Sequence, residues 1–261
     1  MREGYSVELK KATSFMLSGE LKTAQAIISD LKSKFGEMAD FWSLESEIAA
    51  LQQQWVHALR ASDAALQLDP NSVIRHIQRA RLRILADDEV EARKSASTAM
   101  HIGVTDVTQM LTLGGVLVRC NEHAKARELF LKASQVEKDN PDVWRGLATV
   151  SQFLGDLEKA ELACDTAIKL NPHDYELIAL RSSLRKQTTS KNHVNDIIAH
   201  ISAGAKNWRG EVHLSYALAK EYEDLRHYET SFKWLKHGAD LKRKHTKYSF
   251  EDDIAIFKRV K

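Results

Sequence analysis

The stretch PDVWRGLATVSQFLGDLEKAELACDTAIKLNP, residues 141–172, contains the clearest structural pattern in the chain. Gly155 lies near its middle, and glycine tolerates the positive φ of a tight turn. Asn171 precedes Pro172, and the residue before a proline is pushed out of helical geometry. The stretch therefore predicts two short helices that are joined near Gly155 and end before Pro172.

Small residues of this stretch belong to series that run through most of the chain. One series recurs every 34 residues, at Ala24, Ala58, Ala92, Ala126 and Ala160. Two further series keep the same step, at Leu31, Ala65, Ala99, Ala133 and Ala167, and at Ala12, Ser46, Ala80, Gly114 and Ala148. Small side chains let helix backbones approach closely, so these positions predict helix crossings.

A period of 34 residues with two short helices per unit resembles the tetratricopeptide repeat. The residues of 141–172 that match the family are Trp144, Leu147, Gly155, Ala160, Ala167 and Pro172, whereas Ala148, Ser151 and Cys164 depart from it. The resemblance implies an all-α fold, a right-handed α-solenoid of helix-turn-helix units with a concave groove. Five regular repeats are predicted in residues 1–174, beginning near Tyr5, Ala39, Val73, Val107 and Pro141.

The repeat register breaks after residue 174. Residues 175–209 are predicted to form a divergent helix pair, in which Tyr175 to Lys186 is one helix and 187–193 a polar loop. Residues 210–245 are predicted to form a terminal repeat-like unit, and 246–261 the start of a linker helix.

Residues 213–257 resemble the last repeat of bacterial proteins in which a tetratricopeptide array precedes a sulfotransferase domain. The matching residues are Ala217 to Leu225, Gly238 to Arg243, Tyr248 and Asp253. The resemblance implies that a domain using the sulfate donor 3′-phosphoadenosine 5′-phosphosulfate (PAPS) follows Lys261. The chain itself has no Gly-rich phosphate-binding loop, so we expect no cofactor site and no catalysis here.

Charge and composition narrow the classes of partner. The chain has 38 basic and 36 acidic residues, a net charge of +2, which favours neither a nucleic-acid nor a membrane partner. Cys120 and Cys164 match no disulfide framework or metal motif, and we expect reduced thiols in a cytoplasmic protein. The eleven histidines are scattered, so no metal site is predicted.

The remaining candidate site is the groove that the first helix of each repeat would line. The groove-facing positions of the family correspond to Ser43, Glu47, Ile77, Arg81, Leu111, Arg119, Arg145 and Gln152. The arginines are expected to pair with carboxylate or sulfate-like groups of a ligand. A basic patch of Lys242, Arg243, Lys244 and Lys247 is either a solvated helix end or a contact for another domain or an anionic ligand.

The sequence thus favours a non-catalytic scaffold that binds a protein or peptide in its groove. In a longer parent protein, this scaffold would contact its own C-terminal domain and present substrate to a sulfotransferase. Two alternatives stay open. One is a free-standing assembly adaptor or co-chaperone with no attached enzyme, and the other is an enzyme with an unrecognised active site.

Overall fold

The computed structural model describes residues 3–246 and 249–259, which form helices joined by short connections. Within this part of the chain, strand-like pairing is limited to an isolated bridge between Thr188 and Lys191. The helices are α1 (Glu3–Leu17), α2 (Leu21–Phe35), α3 (Ala39–Leu51), α4 (Trp55–Leu68), α5 (Val73–Leu85), α6 (Glu89–Ile102), α7 (Val107–Arg119), α8 (His123–Val136), α9 (Pro141–Phe153), α10 (Leu157–Leu170), α11 (Tyr175–Ser183), α12 (Val194–Ser202), α13 (Trp208–Asp224), α14 (Tyr228–His245) and α15 (Phe250–Arg259). The chain divides into two compact units, unit 1 (Met1–Val136) and unit 2 (Glu137–Lys261).

Unit 1 is a stack of four helical hairpins, α1–α2, α3–α4, α5–α6 and α7–α8. The first helices of these hairpins, called the inner helices, contact one another in order from α1 to α7. Each of α2, α4 and α6 also contacts the inner helix of the next hairpin. A single hairpin cannot bury its apolar face, so stacking neighbours supply the core.

The turn inside each hairpin repeats one backbone conformation. Gly19, Gln53, Asp87 and Asn121 recur at the repeat period, with φ angles of 85°, 60°, 57° and 58°. Gly155 of unit 2 continues the series with a φ of 77°. Glycine adopts this conformation freely and Asn or Asp at little cost, so turns are readable at those residues, whereas Gln53 carries no such signal.

The predicted small-residue positions lie inside the hairpins. Side chains with no exposed surface include Ala12, Ser46, Ala80, Ala148, Ala24, Ala58, Ala92, Ala126 and Ala160. At the crossing of α7 and α8, a Cβ added to Gly114 would lie 2.5 Å from Cζ of Phe130. This crossing therefore has no room for a side chain on α7, because Phe130 fills the space.

Near the start of the second and fifth hairpins, the side chain that enters the core is not a tryptophan but the residue before it. Phe41 and Val143 have no exposed surface. Trp42 and Trp144, one position later, are only half-buried. Lys32 lies over the ring of Trp42, and Trp144 Nε1 donates a hydrogen bond to Lys138 O at 2.7 Å. Both indoles therefore cover the edge of the core, and each makes a polar contact there.

Unit 2 combines two hairpins, α9–α10 and α13–α14, with a less regular segment between them. In this segment α11 contacts α10 and α13, and α12 contacts α13. Helix α11 ends at Ser183, before the predicted end at Lys186. The reason is local, because Gln187 Nε2 folds back and donates to Ser182 O at 3.0 Å, one of the carbonyls left free at a helix end.

The repeat register predicts where the first helix of each hairpin begins. Helices α3, α5, α7 and α9 begin at residues 39, 73, 107 and 141, as the period requires. Helix α13 begins at Trp208, close to the predicted start at 210. The boundary between the units follows Val136 and thus falls within the predicted run of five repeats in residues 1–174. A shared period does not decide which repeats form one compact body. Helix α15 lies within residues 246–261, and the predicted role of this segment as a linker stays a prediction.

Candidate functional site

An apolar concavity lies in unit 1 and is called here the unit-1 groove. It has a volume of about 730 Å³ and is lined by residues of α1, α3, α5 and α7 together with the cap residue of α7. Its apolar side chains are Leu9, Met16, Leu44, Ile74 and Ile77. The inner helices therefore form one continuous surface to which every hairpin of unit 1 contributes.

The repeat period explains why these side chains meet. Leu9, Ser43 and Ile77 occupy the same repeat position on successive inner helices, and so do Thr13, Glu47 and Arg81. The helices stack in order, so residues 34 apart in sequence become neighbours across the groove. The site is thus built from single residues of different hairpins and not from one local motif.

Polar side chains on the wall of the groove are held by contacts within the chain. Arg81 forms an ion pair with Glu47. Gln78 Nε2 donates to Ser43 O at 2.7 Å and to Glu47 Oε1 at 2.8 Å. These contacts connect α3 to α5 and fix the positions of three side chains before any ligand is present.

Two more carboxylates lie at the border of the groove. Asp40 accepts hydrogen bonds from Arg75 Nη2 at 2.7 Å and from Tyr5 Oη at 3.3 Å. Asp106 caps α7, where its Oδ1 accepts from the backbone N–H of Gln109 at 2.9 Å. The cap explains why α7 starts at Val107.

Four of the eight predicted groove residues, Ser43, Glu47, Ile77 and Arg81, line the unit-1 groove. Leu111 and Arg119 lie on α7 but are not among its lining residues. Arg81 contacts Glu47 of the preceding hairpin through Nη2 while 41% of its side chain stays exposed, and the expected pairing with a ligand group stays a prediction. Glu47 and Arg81 occupy the same repeat position in adjacent hairpins, and their opposite charges are the sequence signal that could have indicated this pair.

Arg145 and Gln152 belong to unit 2. Arg145 lines a polar pocket of about 350 Å³, where its Nε donates to Asp174 Oδ2 at 2.7 Å and its Nη1 to Glu176 at 3.4 Å. Desolvation alone would lower the pKa of Arg145, but these carboxylates raise it overall. Arg145 is thus used within the chain, and Gln152 lies half-buried near the end of α9.

The predicted basic patch lies at the end of α14. Lys242, Arg243 and Lys244 are exposed in its last turn, while Lys247 lies outside the described residues. His245, the last residue of the helix, stacks on Trp208 with ring centroids 4.7 Å apart. Cations at this position complement the negative end of the helix dipole.

A polar network that the sequence did not predict holds residues 184–193 against the rest of unit 2. Glu161 accepts from Arg185 Nη2 at 2.9 Å and from Lys191 Nζ at 3.0 Å. The hydrogen bonds from Arg185, followed by those from Lys191, lower the pKa of Glu161 to about 2 against the opposing effect of burial. Nothing in the local sequence indicated these partners, because they are 24 and 30 positions away.

The same network continues to a fully buried carboxylate on α13. Glu221 accepts from the backbone N–H of His193 at 2.8 Å and pairs with His193 Nδ1 at 2.9 Å. Burial would raise the pKa of Glu221, but the bonds from His193 lower it overall. The network fixes the irregular segment, and its groups are engaged with one another.

The described residues contain no group of three or more His, Cys, Asp or Glu side chains that could hold a metal ion. Cys164 has no exposed surface, and burial raises the pKa of its thiol to about 12. None of the helices in the described ranges combines the length and apolar composition that a membrane span requires.

Comparison with known proteins agrees with this architecture. Residues 142–174 match the family model of the tetratricopeptide repeat. The comparison with curated proteins gave no significant match. The fold is similar to that of a tetratricopeptide repeat protein from Parabacteroides merdae, with a TM-score of 0.61 and 17% identity over 98% of each chain.

Two further solved structures are similar at lower identity. PilW, a type IV pilus biogenesis factor, has a TM-score of 0.61 and 13% identity, covering 87% of this chain and 97% of its own. YrrB, described as a tetratricopeptide protein with an unusual peptide-binding site, has a TM-score of 0.53 and 13% identity, covering 80% and 97%. At such identities the likeness concerns the fold, and the predicted class, an all-α tetratricopeptide-type solenoid, is confirmed.

Proposed function

We propose that this chain is a non-catalytic scaffold that binds a segment of another protein in the unit-1 groove. The observation that carries the proposal is the apolar concavity of about 730 Å³ formed by four successive inner helices. Concave, mostly apolar surfaces with a few polar groups are typical of binding sites. An extended or helical segment laid across the inner helices would contact every hairpin of unit 1.

Other structures of the same fold make this function reasonable. YrrB is described as having a peptide-binding site, and Cut9 was crystallised with Hcn1 in a heterotetramer of the APC/C. These statements concern those proteins. They support the view that such a fold can serve in protein interaction. The reason to propose this role for the present chain is the geometry of its own groove.

Selection from a random peptide library displayed on phage, with the full chain as bait, tests the proposal. Selected peptides would then be labelled and titrated by fluorescence anisotropy. The diagnostic variant is Ile74→Asp, because Ile74 lines the groove and is 55% exposed, so the change should leave folding intact. The matched control is Val90→Asp, since Val90 lies on α6 and is 64% exposed outside the groove.

We expect Ile74→Asp to weaken binding at least about tenfold, because a desolvated carboxylate would face the apolar ligand, and Val90→Asp to leave it unchanged. Binding that withstands Ile74→Asp would place the site elsewhere. A library that yields no binder at all would remove the support for a peptide-binding role.

We also keep the proposal that the parent protein carries a sulfotransferase domain, which rests on the residues of 213–257 named above. Neither the matched family model nor the similar structures include such a domain. Reading the coding sequence beyond Lys261 tests it: a strand, a Gly-rich loop and a helix would support it. An immediate stop codon would favour the free-standing adaptor or co-chaperone. Cytoplasmic location remains a prediction, which fractionation of the source cells would test.

A further inference from the structure

The charges around the unit-1 groove are unbalanced. Three carboxylates line it, those of Asp40, Glu47 and Asp106, but Arg81 contributes the one guanidinium and no lysine is present in the lining. The positive charge of Arg81 compensates the negative charge of Glu47, which Arg81 contacts directly. The wall therefore presents two negative charges beyond those it neutralises itself.

The two remaining carboxylates differ in how far the chain compensates them. Asp40 is paired with Arg75, whose side chain is 10% exposed and lies behind the groove wall. Asp106 forms no ion pair among the residues that the structure describes, and its compensation is the N-terminus of α7. A helix N-terminus supplies only about half a positive charge. Asp106 is thus the border residue best placed to meet a cation from a ligand.

An anionic ligand fits this surface poorly. A ligand carboxylate that approached the guanidinium of Arg81 would meet the carboxylate of Glu47, which contacts Nη2, and would lie in the same groove as Asp40 and Asp106. Like charges brought together in a partly desolvated site oppose binding. The charges of the lining therefore disfavour the carboxylate or sulfate-like partner that was expected for Arg81.

From this placement we infer that the unit-1 groove selects protein segments that combine apolar side chains with lysine or arginine. The inference rests on the proposed function and adds the chemistry of its partner. The aliphatic residues Leu9, Met16 and Ile74 receive the apolar side chains of the segment. Its cations lie at the border, where Asp106 and Asp40 attract them.

Two synthetic probes separate the charge from the apolar contact. One is a fluorescein-labelled peptide of leucine and alanine with two lysines, and the other is identical except that glutamates replace the lysines. Both are titrated by anisotropy against the full chain, against Asp106→Asn and against Asp88→Asn. Asn retains the capping function in both variants. Asp88 caps α6 outside the groove and also pairs with Arg83, so Asp88→Asn controls for the loss of a capping carboxylate away from the ligand.

We expect the lysine peptide to bind at least about tenfold more tightly than the glutamate peptide, an advantage that added salt reduces. Asp106→Asn should weaken the lysine peptide about two- to fivefold, as for a partly exposed ion pair, and Asp88→Asn should not. Equal binding of both peptides, with both lost in Ile74→Asp, would overturn the charge preference and leave the groove function standing. Failure of both peptides to bind wild-type protein would count against the inference and the groove function together.

Discussion

The contact between Gly114 and Phe130 allows packing to be separated from helix propensity. A methyl group on Gly114 would lie 2.5 Å from Cζ and 2.6 Å from Cε1 of Phe130, which is 4% exposed. The neighbouring Gly115 is exposed on the same helix, and a methyl group there meets no atom within 4 Å. Replacing either glycine with alanine favours the helical backbone by roughly 0.5–1 kcal/mol.

We expect Gly115→Ala to raise the free energy of unfolding by about that amount. Gly114→Ala receives the same benefit but must move a buried ring by roughly 1 Å, an overpacking that costs about 1–3 kcal/mol. The difference between the two variants therefore equals the steric cost, about 1–3 kcal/mol. Urea unfolding followed by circular dichroism measures it, and amide hydrogen exchange in α7 and α8 localises it.

A second substitution tests whether Phe130 is the cause. The equivalent pair one repeat earlier is Ala80 and Ala96, both fully buried, so two alanines fit this crossing. Phe130→Ala alone should cost about 3–5 kcal/mol, and about 1–3 kcal/mol less when Gly114 is already alanine. Equal stability of Gly114→Ala and Gly115→Ala, or additive effects in the double variant, would refute the reasoning.

Three other predictions concern stability and reactivity. The pKa of Glu161 is lowered to about 2, chiefly by Arg185. Its contribution to the free energy of unfolding is therefore complete above the unfolded pKa near 4.5 and is lost as pH falls from there towards 2. Glu161→Gln should remove this part of the pH dependence, up to about 3 kcal/mol, in urea melts. Cys164 should resist alkylation at pH 8 in the native state and react after unfolding, as judged by mass spectrometry, because it is fully buried with a raised pKa. Phe41→Ala should cost about 3–5 kcal/mol and Trp42→Ala less, since Phe41 is fully buried and Trp42 is not, and thermal melts would show the order.

The regular part of the fold was readable because one rule repeats. Small residues such as Ala58 and Ala92 lie at the helix crossings of the regular hairpins. Because they recur every 34 residues, each further repeat is independent support for the same register. Residues 184–193 have no such repetition. Their conformation depends on contacts of Gln187 and Arg185 with groups many positions away, and a single sequence contains no pattern for such contacts.

Half of the residues predicted to face a groove line the unit-1 groove, and their role in binding stays a prediction. The repeat position identified Ser43 and Ile77 as groove residues without knowledge of the structure. It did not identify what Arg81 contacts, because orientation of a long side chain depends on the whole neighbourhood. Asp106 escaped notice altogether, since a capping residue precedes the helix whose face the repeat pattern describes.

The distribution of the groove over four inner helices has a consequence for how such a protein can change. Each hairpin of unit 1 contributes a few residues to the groove, while different positions of the same hairpin maintain the stack. Mutation can therefore alter recognition one module at a time without loss of the architecture. Descendants of one ancestral chain could diverge towards unrelated partners, and an engineer could exchange inner-face residues between hairpins to retarget binding.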